Sequence, residues 1–360
     1  MDVSAIYAKI QSQLDKQLPF VVYRKSGEEE VNCFLQNDDQ LYEMNSYETS
    51  GFVFAPFDSE NKTIIIPTNI SSCYRAVMRS ESKVENYHYD QSFSVEDDHK
   101  AKKDHLKLVQ NGIKAINDGF FKKVVLSRKE EVSFPKEDYL EVFQKLIDSY
   151  ADAFVYYWFH PAVGIWLGAT PETLVTIRED QFFTMALAGT QTYESSLEVD
   201  WGEKEIEEQA MVTDFVLNEL SSKVNSIEKS NTYTYRAGTL LHLRTDIKGF
   251  LKNKDSNVED IIKVLHPTPA VCGLPKKTAK SFILQNESYD RKYYTGFLGE
   301  LHMNKNEKTE SNLYVNLRCM EMSFGKANIY VGGGITKDSI SEKEWEETVR
   351  KTETMKKVLH

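Results

Sequence analysis

Cysteine is scarce in this chain and never clustered: Cys33, Cys73, Cys272 and Cys319 stand far apart with no C-x-x-C pair. That spacing argues against a disulfide framework or a thiolate zinc site and for four reduced thiols. No apolar run approaches the roughly 18 residues of a membrane span. The N-terminal stretch MDVSAIYAKIQSQLDKQLPF has no continuous apolar signal core, so a cytoplasmic protein is expected. Positive charge is in deficit, with 44 Lys and Arg against 55 Asp and Glu and a net charge of −11. Bulk electrostatics therefore favour neither nucleic acid nor an anionic membrane, and an anionic small molecule would have to be met by locally gathered cations or a metal. There is no internal repeat and no low-complexity tract. The glycine-rich stretch GGGITKDS, residues 332 to 339, matches neither G-x-x-x-x-G-K-[ST] nor G-x-G-x-x-G, which leaves no sequence basis for a nucleotide site.

What the chain does have is a core. With 41 % hydrophobic residues over 360 positions and no strong linker, it reads as one compact domain. Residues 1–100 form an N-terminal part mixing a short helix with strand-like stretches at 51–57 and 63–70, and closing on the polar segment 81–100, which reads as a connection. Residues 101–360 form the larger region. Helical periodicity appears at 101–119, where Gly119 suits a C-cap, at 203–221, 256–265 and 276–287, and in a terminal helix. Strand patterns run through KKVVLSRKEEV, FVYYWF, GIWLGATPETLVTI (164–177), QFFTMALAGT, LYVNLRCMEM (313–322) and ANIYVGGG. Successive strands joined by short polar turns predict an α+β fold with antiparallel sheets and helices outside them.

Several charged residues fall where the pattern is apolar. In the helix over 203–221, Ile206, Ala210, Thr213, Leu217 and Leu220 form one face, and Met211, Val212 and Phe215 form a second that includes Glu208. A helix packed on two sides would put Glu208 in a low-dielectric setting, where it must be protonated, paired or metal-bound. Glu205 lies three residues earlier. In the terminal helix Ser341 and Glu344 make a capping-box pattern, and Glu344 and Glu347 repeat the three-residue spacing. Two such pairs are a candidate magnesium site. Spacing alone favours a solvated face, because Trp345, Val349, Thr352 and Leu359 form the stripe opposite Glu347 and Lys351. Lys123 shares a strand face with Val125 and Ser127, and a lysine at a strand start ordinarily snorkels. Glu172 follows Pro171 as a turn residue would. His242, Arg244 and Arg318 sit inside apolar strands, where a structural hydrogen bond is the ordinary role. The three prolines of HPTPAVCGLP demand a rigid loop.

The order of these blocks is more telling than any one of them: KVVLSR, GATPETL, LAGT, EEQAMVTD, HLRT, HPTPAVCGLPK, RKYYTGFLG, LRCMEM, GGGI and EWEETVRK. Over about residues 100 to 357 the chain resembles the chorismate-utilising enzymes, and among them the isochorismate synthases. The resemblance implies two large antiparallel sheets packed face to face with flanking helices, and chorismate and Mg2+ as substrate and cofactor. It also implies an intramolecular hydroxyl transfer in which water adds at C2 as the C4 hydroxyl leaves. Carried over by motif, Lys123 is the base that activates water and Glu172 the acid for the leaving hydroxyl. Glu205, Glu208, Glu344 and Glu347 match the magnesium shell. Gly189, Thr190, Ala270, Tyr294, Arg318, Gly332 and Lys351 match the substrate-binding positions, and His242 a residue lining the ring. A lysine base must act neutral, so neighbouring cations such as Arg128 or Lys122, or burial, would have to lower its pKa.

Within that resemblance two positions select the branch. Lysine at 123 fits water users, where ammonia-using anthranilate synthases carry glutamine, so no glutaminase subunit is expected. Ala188 stands where aminodeoxychorismate synthases have lysine. Salicylate synthases share base and acid but tend to read T-x-S-G in the proline-rich loop, where this chain has Ala270. A monomer is expected by likeness. The product could feed either menaquinone or a siderophore.

Overall fold

The computed structural model describes residues 2–78, 99–238, 240–252, 258–305 and 308–359. The polar segment expected to be a connection, 81–100, falls almost wholly outside them. The first part of the chain gives α1 (Val3–Asp15), β1 (Phe20–Arg24), β2 (Glu30–Gln36), β3 (Gly51–Ala55), β4 (Ile64–Pro67), β5 (Ser71–Val77) and α2 (His99–Asn117). Next come β6 (Lys123–Ser133), α3 (Tyr139–Ser149), β7 (Phe154–His160), β8 (Gly164–Thr170), β9 (Thr173–Arg178), β10 (Gln181–Thr192) and α4 (Glu203–Ser221). Then follow β11 (Val224–Lys229), β12 (Tyr233–Ala237), β13 (Leu240–Leu251), α5 (Val258–Leu265), β14 (Gly273–Leu274) and α6 (Lys276–Asn286). The last stretch holds β15 (Phe297–Lys305), β16 (Lys308–Val315), β17 (Cys319–Ser323), β18 (Lys326–Ile335) and α7 (Ser341–Lys356).

These strands make two nine-stranded antiparallel sheets, as expected. The first runs β14-β6-β18-β17-β8-β7-β1-β2-β5 and the second β11-β13-β10-β9-β16-β15-β3-β4, with β12 also on β13. Alternation along each strand decides the layering. In β7, Phe154, Tyr156 and Trp158 point between the sheets, where Phe52 and Phe54 of β3 meet them, while Val155, Tyr157 and Phe159 point outward against α1 and α3. In β3, Val53 and Ala55 belong to the core that the second sheet shares with α4 and α5. Both faces are covered, which is why these strands are apolar or aromatic at nearly every position. Gly119 takes a left-handed φ of +82° and its N–H bonds back to Ile116, the cap expected for α2.

Four expectations fail, each for a tertiary reason. The stretch 63–70 is β4 followed by a 3-10 turn at Thr68–Ile70 that leads into β5. The runs 164–177 and 313–322 are each two strands in different sheets, because the apolar pattern continues while the chain crosses the sandwich. α4 has one buried face rather than two: Gln209, Val212, Thr213, Phe215, Val216 and Leu220 are buried, whereas Ile206 is 52 % exposed. In α7 the inward stripe is Ser341, Glu344, Thr348, Thr352 and Met355. Ile340 is the N-cap, without a side-chain bond, so there is no capping box, and Glu344 is only 2 % exposed, so its face is not solvated.

Candidate active site

The two crossings between the sheets lie side by side. Pro171 and Glu172 link β8 to β9, and Asn316, Leu317 and Arg318 link β16 to β17. They are laced together: Val315 N–H donates to Glu172 O (3.0 Å), Ala169 N–H to Arg318 O (3.0 Å) and Thr170 Oγ1 to Val315 O (2.6 Å). Residues at such crossings stand between the sheets rather than on a sheet face, which brings an acid and a guanidinium inside. Arg318 pays for its place with a left-handed φ of +46°, a conformation that costs a non-glycine residue about 1–3 kcal/mol. Its side chain is fixed by Nη1 donating to Ala237 O (2.9 Å) and Nη2 to His242 Nε2 (2.9 Å). His242 in turn donates from Nδ1 to Gly189 O (2.8 Å), so the ring is the neutral Nδ1–H tautomer. Burial, and then Arg318, push its pKa down to about 3. Gly189 has φ +71°, and a Cβ there would stand 3.1 Å from Glu205 Cβ.

Lys123 opens β6 on the face shared by Val125 and Ser127, while Val124 and Leu126 pack outward against α2 and α6. It does not snorkel: it is 0 % exposed, and Nζ lies 2.8 Å from Glu208 Oε1. Glu208 is therefore paired, as its position required. Glu172 is 4 % exposed, and burial raises its pKa to about 8 even though Lys123 pulls the other way. The two cations offered as neighbours of Lys123 are turned elsewhere. Arg128 binds Thr348 and Glu130 and stacks on Trp345, and Lys122 is exposed.

The outer edge of β6 is closed by side chains that the sequence reading left without a role. Past the short β14, Arg291 Nη2 donates to Val125 O (2.7 Å), and Glu287 Oε1 accepts from Ser127 N–H (2.8 Å). Arg291 and Glu287 are themselves paired at 2.6 Å, and Arg291 Nη1 reaches Val271 O (3.1 Å) in the proline-rich loop. A buried, forked ion pair thus stands in for a neighbouring strand beside the lysine. RKYYTGFLG contains Arg291, but nothing local marks its partners.

One cavity, of about 110 Å³, collects the site. Of the residues that the resemblance matched to catalysis, substrate or magnesium, all line it except Lys123, Glu205 and Glu344. The triple glycine is a clearing rather than a turn, since none of its φ values is positive. A Cβ on Gly332 would stand 3.0 Å from Tyr294 Oη, and one on Gly333 3.4 Å from Glu344 Oε2. On Gly334 it would collide with Glu208 and reach 3.0 Å from Lys123 Cε. Lys351 Nζ donates to Gly332 O (3.1 Å) and to Glu347 Oε1 (2.6 Å). With Arg318 across the cavity, it gives this acidic protein two cations facing a ligand. Arg244, by contrast, pairs with Asp246 at 2.7 Å and stacks on Tyr235, the structural role expected for it.

The sequence profile of the chorismate binding enzymes matches residues 53–360. The chain belongs to that family. It is 28 % identical over 273 residues to the isochorismate synthase DhbC of Bacillus subtilis, covering 71 % of this chain and 67 % of that one. It is 28 % identical over 254 residues to the isochorismate synthase MenF of Haemophilus influenzae, covering 68 % of this chain and 57 % of that one. The matched region thus spans between 57 % and 67 % of those relatives' lengths. The structure of MenF, the menaquinone-specific isochorismate synthase of Escherichia coli, superposes with a TM-score of 0.74 at 20 % identity, over 95 % of this chain and 89 % of that one. That likeness places this chorismate binding enzyme in the expected fold. Among the described residues no helix is long and apolar enough to cross a membrane, and all four cysteines are free thiols.

The carboxylates offered for a cation divide. Glu208, Glu344 and Glu347 act together on the ammonium of Lys204, which burial would discharge but which their charges, Glu344 first, hold protonated. Lys204 Nζ lies 2.6 Å from Glu344 Oε1. Burial raises the pKa of Glu344, whereas Lys351 brings that of Glu347 down against the effect of burial. Glu205 turns back along its own helix, its Oε2 2.5 Å from where a Cβ of Gly202 would be. Among the described residues no three His, Cys, Asp or Glu side chains converge as a ready-made metal cluster. The donor chemistry nevertheless fits magnesium: hard carboxylate oxygens, one of which, Glu344 Oε2, is buried without a hydrogen-bond partner. What prevents a finished shell is that each of the three carboxylates has an oxygen on a lysine: Lys123, Lys204 or Lys351.

Proposed function

We propose that this enzyme is a magnesium-dependent isochorismate synthase acting on free chorismate. The observation that carries the reading is a fully buried Lys123 whose charge is felt by Glu172, together with the pKa of about 8 that keeps Glu172 protonated at neutral pH. An acid lining the cavity and a lysine base just behind its Gly334 wall are what hydroxyl exchange on a ring requires. Lys123, once its proton has left, takes a proton from the water that adds at C2. Glu172 donates its proton to the C4 hydroxyl, which departs as water, so the ring gains and loses one water and the net change is an isomerisation.

Arg318 and Lys351 meet the two carboxylates of the substrate, and the neutral His242 orients Arg318. Magnesium, held by Glu208, Glu344 and Glu347 with Glu205 one turn away, would supply charge stabilisation at the ring carboxylate. Ala270 in the proline-rich loop, where salicylate synthases tend to carry a hydroxyl pattern, supports stopping at isochorismate.

The test is to mix the purified protein with chorismate and MgCl2 and follow products by NMR. Isochorismate is expected, and its formation should stop when EDTA is added. Unchanged chorismate would reject the reading, and salicylate with pyruvate would move the protein to the lyase branch.

A further inference from the structure

Three lysines neutralise the carboxylate cluster, and they differ in how free they are to leave it. Lys123 is 0 % exposed and enclosed beside Gly334. Lys351 is anchored twice, by Glu347 and by the Gly332 carbonyl. Lys204 stands in the first turn of α4 with its side chain 27 % exposed, and its hydrogen bond to Glu344 Oε1 is its one bond among the described residues. The other oxygen of that carboxylate, Oε2, is buried and without a hydrogen-bond partner among the described residues. A divalent cation on Glu344 would find one oxygen open and an ammonium already on the other.

We propose that Lys204 is a resident counter-cation: it neutralises the carboxylate cluster in the cation-free enzyme and is displaced when a divalent cation binds. The inference rests on the reading of these glutamates as a divalent-cation site and adds to it a residue that works against the metal. The physical reason is like-charge repulsion in a partly dry setting. An ammonium and a doubly charged ion sharing one carboxylate repel, and more strongly where the shared carboxylate is itself buried, as Glu344 is. The lysine stem is flexible and a fourth of its surface already faces solvent, so the low-cost response is for Lys204 to swing outward. The cluster is thereby kept stable without metal, at the expense of affinity for it.

This assigns an unusual sign to a mutation. A lysine that merely orients a metal ligand should, when removed, weaken metal binding. A competitor should, when removed, strengthen it. Calorimetric titration of the full chain with MgCl2 alone, without chorismate, reads that sign. Lys204→Met is expected to bind magnesium about tenfold more tightly, within the usual range of coupling between neighbouring sites, and to melt at a lower temperature than wild type in EDTA. Lys204→Arg, which keeps the charge, is expected to hold wild-type affinity. Magnesium binding to wild type with unchanged or weaker binding to Lys204→Met would overturn the inference and leave the metal reading intact. No binding by either protein would overturn both, and binding gained only by Lys204→Met would support displacement outright.

Discussion

The molecule buries two ionic clusters. In one, Glu300 on β15 is 2 % exposed, pairs with Lys25 at 2.6 Å, and accepts hydrogen bonds from Tyr23 Oη and from Asn312 Nδ2 at 3.2 Å. Aromatic rings enclose it, with Tyr23 against Phe52 and Phe154. In the other, among the described residues, Lys123 has the Glu208 carboxylate at 2.8 Å but no well-angled hydrogen bond, and Glu344 Oε2 has no partner. Glu172 faces a cavity with its carboxyl unbonded among the described residues. Lys123, Glu172 and Glu344 are about as buried as Glu300 but less well satisfied. A finished buried network fixes a packing arrangement, whereas an unfinished one retains the capacity to bind, because its missing partners are a ligand's atoms.

That contrast can be broken most forcefully at the unfinished end. Lys123→Ala and Glu172→Gln should each lower turnover on the order of 10²- to 10⁴-fold while chorismate still binds, read by product formation beside equilibrium binding. A near-normal rate in either would remove that residue from the chemistry. At the finished end the currency should be stability: Glu300→Ala breaks the buried pair with Lys25 and removes the acceptor of Tyr23 and Asn312, and is expected to cost about 3–5 kcal/mol in urea unfolding, with the turnover of the folded fraction unchanged. A variant that kept its stability and lost its rate would erase the distinction.

A third test sharpens it through pH. Glu172 has a folded pKa of about 8 against an ordinary 4.5, so between those values the native state keeps a proton that the unfolded chain has lost. Its stabilising contribution is full below about 4.5, declines as pH rises, and is gone above about 8, with a slope of at most about 1.4 kcal/mol per pH unit. Glu172→Gln should flatten that slope in urea titrations run from acid to mildly alkaline pH, and an unchanged slope would count against the burial assigned to Glu172. The smallest effect belongs to an exposed pair. Lys326 and Glu131 lie 2.6 Å apart with 53 % and 54 % of their side chains exposed, and Lys326→Ala should change stability by about 0.5 kcal/mol or less and activity not at all.

Much of the frame was legible from local pattern. The helix over 203–221 has the limits of α4, and the alternation in β6 places Lys123 with Val125 and Ser127. Glu208 is paired, one of the outcomes its place beside Met211 and Val212 allowed, although α4 is packed on one side only. The breaks came where polar residues interrupt apolar runs: GATPETL and NLRC read as continuous strand, yet each spans the gap between sheets, and Glu172 and Arg318 stand in those gaps. The face of α7 was misjudged for a related reason. Its buried stripe is Glu344, Thr348 and Thr352, and a polar stripe gives no hydrophobic signal by which to see it.

The sequence by itself determined the antiparallel α+β frame, the residue types able to act on a dianion, and the family through the order of its blocks, because periodicity and motif order are properties of the chain alone. Only the tertiary structure decided which charges meet. It brought Glu208, Glu344 and Glu347 into one field, turned Glu205 away, set Lys204 on Glu344 and closed the edge of β6 with Arg291 and Glu287. Those pairings join residues up to about 170 positions apart, and electrostatic partnership depends on distance in space, which no local spacing encodes.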